Sequence, residues 1–288
     1  IKHHYFFINK FGSNFPHFLF FFHGHEVLKI SKVYSKPYSY IKKKQGLIQN
    51  IYDCLKLKMW NKTFRKVAYK SWYVFVSNWM LDQFQRWVKI SAKELNNRCS
   101  VIYNCIGAEF ENGIYNVKTE KKYDYLSVRS DFDGSKYGVD IICKLATENP
   151  TKKFLLCGRG DYFKYHKKPD NLMVEYRALN HSEIIELLNE SKCALMPTRT
   201  DAQGVMACEM ASIGIPLITS DIEVCREVFQ DYKNVALITN NVDRLPCLEA
   251  IYNSIKKYAG IKDTNKYYTQ NTIGKEVKLI EDIFTGKL

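Results

Sequence analysis

The sequence predicts an α/β chain with parallel sheets covered by helices on both faces. Two observations carry this reading. From Tyr123 onward, short apolar runs alternate with amphipathic stretches of helical spacing, each change marked by Gly, Pro or a polar turn. The first third repeats the alternation less regularly. Strands separated by helices of this length must run parallel, because each crossover returns the chain to the same end of the sheet.

In the first third, Phe18 to Phe22 reads as a strand, Lys36 to Asn50 is mixed, Val74 to Ser77 is a strand opening a helix at Asn78, and Ser100 to Asn104 is another strand. The polar stretch Gly113 to Lys122 reads as a linker. Beyond it the expected strands are Tyr125 to Val128, Lys153 to Cys157, Leu172 to Glu175, Ala194 to Pro197, Pro216 to Thr219 and Val235 to Ile238. Helical spacing fills Val139 to Thr147, Ser182 to Glu190 and Gly204 to Ser212. The expected domains are residues 1–122, residues 123–272, and a last helix, Ile273 to Phe284 within 273–288, packing back on the first domain. The chain does not begin with Met, and a doubly wound half needs strands before Phe18, so the first domain is expected to be incomplete at its start.

The chain has 288 residues, 46% hydrophobic and 25% charged, enough to bury a normal core. Its longest apolar run, Phe18 to Phe22, is far short of the roughly 20 residues a membrane span needs. No basic, apolar and small-residue order marks a secretion signal, so a cytoplasmic protein is expected. The nine cysteines are scattered and never form Cys-x-x-Cys, which argues against a disulfide framework or a zinc ribbon. The net charge of +13 is uneven: residues 1–100 hold 18 Lys and Arg against 4 Asp and Glu, and the remainder 25 against 26. That asymmetry suits an anionic partner, either a membrane surface or nucleic acid.

Three segments carry chemistry. In Thr198 to Asp221 (TRTDAQGVMACEMASIGIPLITSD), Gly204 lets the backbone approach a ligand, and the amides at the helix start, Gly204 and Val205, can hold an anion such as a diphosphate. Asp201 and Glu209, eight apart, are expected to face one crevice at the carboxyl ends of the strands. In Tyr125 to Ile142 (YLSVRSDFDGSKYGVDII), Arg129 ends a strand and Lys136 precedes a helix, so two cations can flank one phosphate. In FFFHGHEVL, His23 and Gly24 end a strand that faces the expected inter-domain cleft. Metal binding by His23, His25 and Glu26 lacks a fourth ligand. CGRGDYF, from Cys157, has Phe163 where a dinucleotide fingerprint needs its third glycine.

These segments resemble glycosyltransferase family 4, over roughly residues 18 to 284. That family's signature is an acidic residue, seven others, a Glu followed by small residues, a Gly and a strand opened by Pro. The resemblance implies the GT-B fold, two Rossmann-like domains with the donor site in the cleft between them. It implies that Asp201 contacts the donor sugar and Glu209 its ribose, that Arg129 and Lys136 hold the diphosphate, that Gly158 and Gly160 form a turn near the donor, and that His23 approaches the sugar. Family members usually have Glu where this chain has Asp201, and a Lys directly before Gly where Tyr137 intervenes here. VIYNCIGAEF, with Asn104, is similar to the family's hinge-side strand and loop.

The function expected is retaining transfer of a sugar from a nucleotide sugar, a UDP-sugar, to a glycan or lipid-linked acceptor. His23, Asp201, Arg129 and Lys136 would act in catalysis, and Arg129, Lys136, Gly158, Gly160, Asp201, Gly204, Val205 and Glu209 would bind the donor. No metal or other cofactor is expected, because two cations and a helix terminus can take its place. A peripheral position at an anionic membrane face is expected, and nucleic acid is not. The alternatives are a nonhydrolysing sugar-nucleotide epimerase, a fragment that binds donor without turning it over, and a nucleic-acid-binding protein using Trp60, Trp72, Tyr73 and Trp79 among the lysines of the first third.

Overall fold

The computed structural model describes residues 4–41 and 46–287. The chain divides into two compact units: Ile1–Tyr34 with Lys43–Tyr103, and Ser35–Lys42 with Asn104–Leu288. The division falls at Tyr103, not at residue 122. The stretch expected as a linker belongs to the second unit, where Tyr115 is buried and its hydroxyl donates to the Ser191 carbonyl (2.8 Å).

The first unit runs α1 (His4–Phe11), β1 (Phe18–Phe22), α2 (Ile30–Val33), α3 (Leu47–Val67), β2 (Ser71–Phe75), α4 (Asn78–Val88) and β3 (Cys99–Val101). Its parallel sheet has the order β1-β2-β3, with Phe22 opposite Phe75 and Phe75 opposite Val101. Aromatic rings dominate its core: Phe22 lies against Phe64, Phe75 and Phe84 with ring centres 4.9–5.7 Å apart. Helix α3, 21 residues long, is absent from the sequence expectations. Its buried face includes Asp53, Lys56 and Thr63 beside Leu57, Trp60 and Phe64, and this mixture breaks the apolar period. Those polar groups are satisfied: Lys56 Nζ donates to the His25 and Leu28 carbonyls (2.9 and 2.8 Å), and Asp53 accepts from the Ser31 amide (2.8 Å). They fix the turn that follows β1.

The second unit runs α5 (Ala108–Asn112), β4 (Tyr123–Arg129), α6 (Val139–Glu148), β5 (Phe154–Gly158), α7 (Tyr162–Tyr165), β6 (Leu172–Glu175), α8 (His181–Asn189), β7 (Ser191–Met196), α9 (Val205–Ser212), β8 (Leu217–Ser220), α10 (Glu223–Phe229), β9 (Val235–Ile238), α11 (Leu248–Ile255) and α12 (Ile273–Phe284). Helix α12, expected to pack on the first domain, is grouped with this unit. The parallel sheet has the order β6-β5-β4-β7-β8-β9. Strand order therefore reverses between β4 and β7, and the loops leaving those two strands diverge to opposite faces. A crevice must open there, at the carboxyl ends. The segment Ser35–Lys42 straps onto this unit: Tyr38 and Tyr40 donate to Asp140 (2.8 Å) and Asp133 (2.6 Å), and the Ser35 and Ser135 hydroxyls are bonded (2.9 Å).

Candidate active site

Arg129 is the last residue of β4, and its side chain points into the crevice beside β7. It is buried, 7% exposed. One terminal nitrogen donates to the Pro197 carbonyl (2.6 Å), while Nε has no hydrogen-bond partner. Burial lowers the guanidinium pKa to about 10, and the nearby Asp201 carboxylate works against that shift. A buried cation with an orphaned donor calls for an anion.

Gly158 stands opposite Arg129 in the sheet register. A Cβ there would lie 1.8 Å from the Arg129 carbonyl oxygen, and its φ of +151° also disfavours a side chain. Gly160, expected with it to meet the donor, is held against Phe132, whose Cβ a new methyl would approach to 2.8 Å. Neither glycine lines the cavity beside Arg129. Their place is set by close approach of backbones.

That cavity, of about 140 Å³, is walled by Arg129, Ser130, Tyr137, Asp201, Gly204, Val205 and Met206, among others. The loop after β7 is anchored at Thr198, whose amide donates to Ser220 (2.8 Å) and whose hydroxyl donates to the Lys136 carbonyl (3.1 Å). Gln203 braces it from the other side, accepting from the Asn104 amide (2.6 Å) and donating to the Asn104 carbonyl (3.0 Å). Asn104 thus serves the site through its backbone. Asp201 turns its carboxylate back on its own loop: Oδ1 accepts from the amides of Ala202 (2.8 Å) and Gly204 (2.9 Å). Gly204, at φ +79°, then opens α9. The amides of Val205 and Met206, in the first turn, have no acceptor among the described residues.

Two expectations need correction here. Lys136 does not line the cavity: its Nζ stands 4.7 Å from the centre of the Tyr137 ring, and its carbonyl accepts from the Thr198 hydroxyl, tying the loops together. Tyr137 forms the wall instead, its ring 5.9 Å from the Arg129 guanidinium. The second concerns the two carboxylates: Asp201 lines this cavity and Glu209 does not. Glu209 is buried on α9, and its Oε1 lies 4.0 Å from His181 Nε2, while His181 Nδ1 lies 3.1 Å from Glu109. Burial raises the Glu209 pKa, and His181 and the Gly107 amide hold it down. Asp201 precedes the helix and folds over its start, whereas Glu209 sits a full turn inside it, so spacing alone could not set their directions. Glu109 and His181, 72 residues apart, gave no signal in the sequence.

In the first unit, His23 follows β1 and is exposed, with its amide bonded to Glu26 (2.6 Å). No group of three His, Cys, Asp or Glu able to hold a metal occurs among the described residues. Trp60, Trp72 and Tyr73 are buried in that unit and cannot stack on bases. No helix among the described residues is long and apolar enough to cross a membrane.

The structure is similar to sucrose-phosphate synthase from Thermosynechococcus elongatus, with a TM-score of 0.69 and 13% identity, covering 98% of this chain and 72% of that one. It is also similar to a glycosyltransferase from Rickettsia africae ESF-5 (TM-score 0.60, 14% identity, 78% of this chain and 67% of that one). A third likeness is to WaaG, a glycosyltransferase involved in lipopolysaccharide biosynthesis (TM-score 0.57, 14% identity, 96% and 80%). At these identities the likeness shows the fold, the parallel α/β architecture of the GT-B enzymes. No curated protein matches the sequence. The family model described as "Glycosyl transferases group 1" matches residues 116–267, more than half of the chain and all of the second unit's sheet and crevice. The chain belongs to the group 1 glycosyl transferases and is a glycosyltransferase.

Proposed function

We propose that the chain is a family 4 enzyme that transfers a sugar from a UDP-sugar to a hydroxyl of a glycan or lipid-linked acceptor, with retention of anomeric configuration. The observation that supports this most is the buried Arg129, which has an unpartnered Nε and lines the same cavity as Val205 and Met206, whose acceptor-free amides open α9. A diphosphate there would meet a desolvated cation and a helix terminus together. As the bond from sugar to diphosphate breaks, charge grows on the leaving oxygen, and such fixed donors are worth about 2.7–4 kcal/mol each in comparable sites. Glu209 would hold the ribose hydroxyls. Asp201 would face the sugar while keeping its loop closed, and His23 would act on the sugar. Lys136 would act on the diphosphate only at longer range. The chemistry needs no metal in this reading, and the enzyme works in the cytoplasm, peripheral at an anionic membrane face.

Thermal unfolding with a panel of nucleotides tests the donor, since a ligand at 100 times its Kd stabilises by about 2.7 kcal/mol. UDP should raise the transition most. Asp201→Asn keeps an acceptor for the loop amides, so it should retain UDP binding and lose turnover of the intact donor. Retention is read from the product's anomeric NMR coupling. A flat response to every uridine nucleotide, or a product of inverted configuration, contradicts the reading.

A further inference from the structure

The first unit holds a second cavity, of about 430 Å³, between α3 and α4. Its walls include Lys29, Lys58, Arg86 and Lys89, with Asn61 and the Trp87 ring, and no carboxylate lines it. None of these four cations forms an ion pair among the described residues. Its frame is fixed: Asn61 donates to the Val88 and Lys89 carbonyls (2.8 and 3.1 Å), joining the two helices at its floor. Elsewhere in this unit the inward-facing lysines are satisfied, as Lys56 and Lys70 are by backbone carbonyls. Four uncompensated cations around one cavity select a phosphate-bearing anion.

The neighbouring surface narrows the source of that anion. The outer face of α3 exposes Leu47 (75%), Ile48 (65%), Ile51 (51%) and Leu55 (60%), which fall on one side at helical spacing. Leu55 is three residues before Lys58, so this apolar strip runs directly into the cationic cavity. In sequence, Lys42, Lys43 and Lys44 precede it. A soluble anion would use the cations and leave the strip in water. A bilayer uses both, taking aliphatic side chains to the level of the acyl chains while the lysine stems carry their charges to the headgroups. Nucleic acid would use the cations and the Trp87 ring and leave the aliphatic strip in water.

We propose that α3 and the cavity it shares with α4 form a docking surface for an anionic phospholipid bilayer, with the cavity receiving a phosphate headgroup. The surface deepens the peripheral location proposed above and rests on that reading for its lipid source, but it is independent of the donor site. The test is co-sedimentation of the whole chain with phosphatidylcholine vesicles, with and without about 30% phosphatidylglycerol, at low and high salt. Binding should require the anionic lipid and fall with salt. Lys58→Gln with Arg86→Gln should weaken it about 30-fold, at about fivefold per cation removed near the surface. Ile51→Ser with Leu55→Ser should weaken it tenfold or more and leave a steep salt dependence. All four side chains are exposed, and an unchanged response to UDP in thermal unfolding will show that both variants are folded with an intact donor site. Equal binding to neutral vesicles, or indifference to either pair of substitutions, overturns the proposal. So does release from vesicles by millimolar inorganic phosphate at constant ionic strength, which would mark a free-anion site, or binding to single-stranded nucleic acid without binding to vesicles.

Discussion

Replacing Arg129 by Met should stabilise the ligand-free protein or leave it unchanged while removing its affinity for UDP. The guanidinium is buried, and burial brings its pKa from 12.5 to about 10, which corresponds to about 3 kcal/mol of disfavour for the charged form. Because the folded value is the lower one, that penalty is present in full below about pH 10 and fades only as pH rises from there towards 12.5. Methionine fills similar space without a charge. Against this gain stands the Pro197 carbonyl, which loses its donor at a cost of about 1–3 kcal/mol. The balance is roughly 0–2 kcal/mol in favour of the variant, or a rise in Tm of up to about 6 °C. UDP loses one or two charge-assisted bonds worth about 1.5–3 kcal/mol each, so its Kd should increase at least about tenfold. Thermal unfolding with and without UDP reads both effects in one experiment. A Tm lowered by more than about 5 °C, with the UDP response intact, would make Arg129 a structural strut and refute the reasoning.

Two further substitutions test the parts around it. Gly158→Ala would place a methyl 1.8 Å from the Arg129 carbonyl oxygen and 2.7 Å from the buried Phe132 ring, at an unfavourable φ. It should cost more than about 4 kcal/mol, a fall of about 10 °C or more, and an unchanged Tm would show that the β4–β5 contact is looser than described. Glu209 has a raised folded pKa, so its contribution to stability is full below the ordinary glutamate range and is lost as pH rises through the raised value. The ribose needs the ionised form. UDP affinity should therefore drop on acidification through that raised value, in addition to any drop shown by Glu209→Gln, which should bind UDP about tenfold more weakly at neutral pH; parallel pH profiles for the two proteins would remove Glu209 from the site.

The second unit was legible in the sequence because each of its strands is an apolar run closed by Gly, Pro or a polar turn. Leu172–Glu175 and Val235–Ile238 match the expectation to the residue, and α9 begins one residue later than expected. The first unit was less so. Helix α3 buries a lysine and an aspartate and exposes leucine and isoleucine, the reverse of the pattern that marks a helix in a sequence. Strand β2 starts at Ser71, three residues before the expected start, because Ser71 is buried through a hydrogen bond to the Val67 carbonyl (2.6 Å) and not through apolar character. The positions of Arg129 at a strand end and Gly204 at a helix start were legible because both are local features. The roles of Tyr137 and His181, and the separate directions of Asp201 and Glu209, depend on tertiary contacts that spacing does not encode.

The crystal structure of the chain with UDP tests the central claim most directly. The account predicts a diphosphate oxygen within about 3 Å of Arg129 Nε and another at the amides of Val205 and Met206, inside the cavity after β4 and β7. UDP bound away from that cavity, with Arg129 Nε still unpartnered, would contradict it.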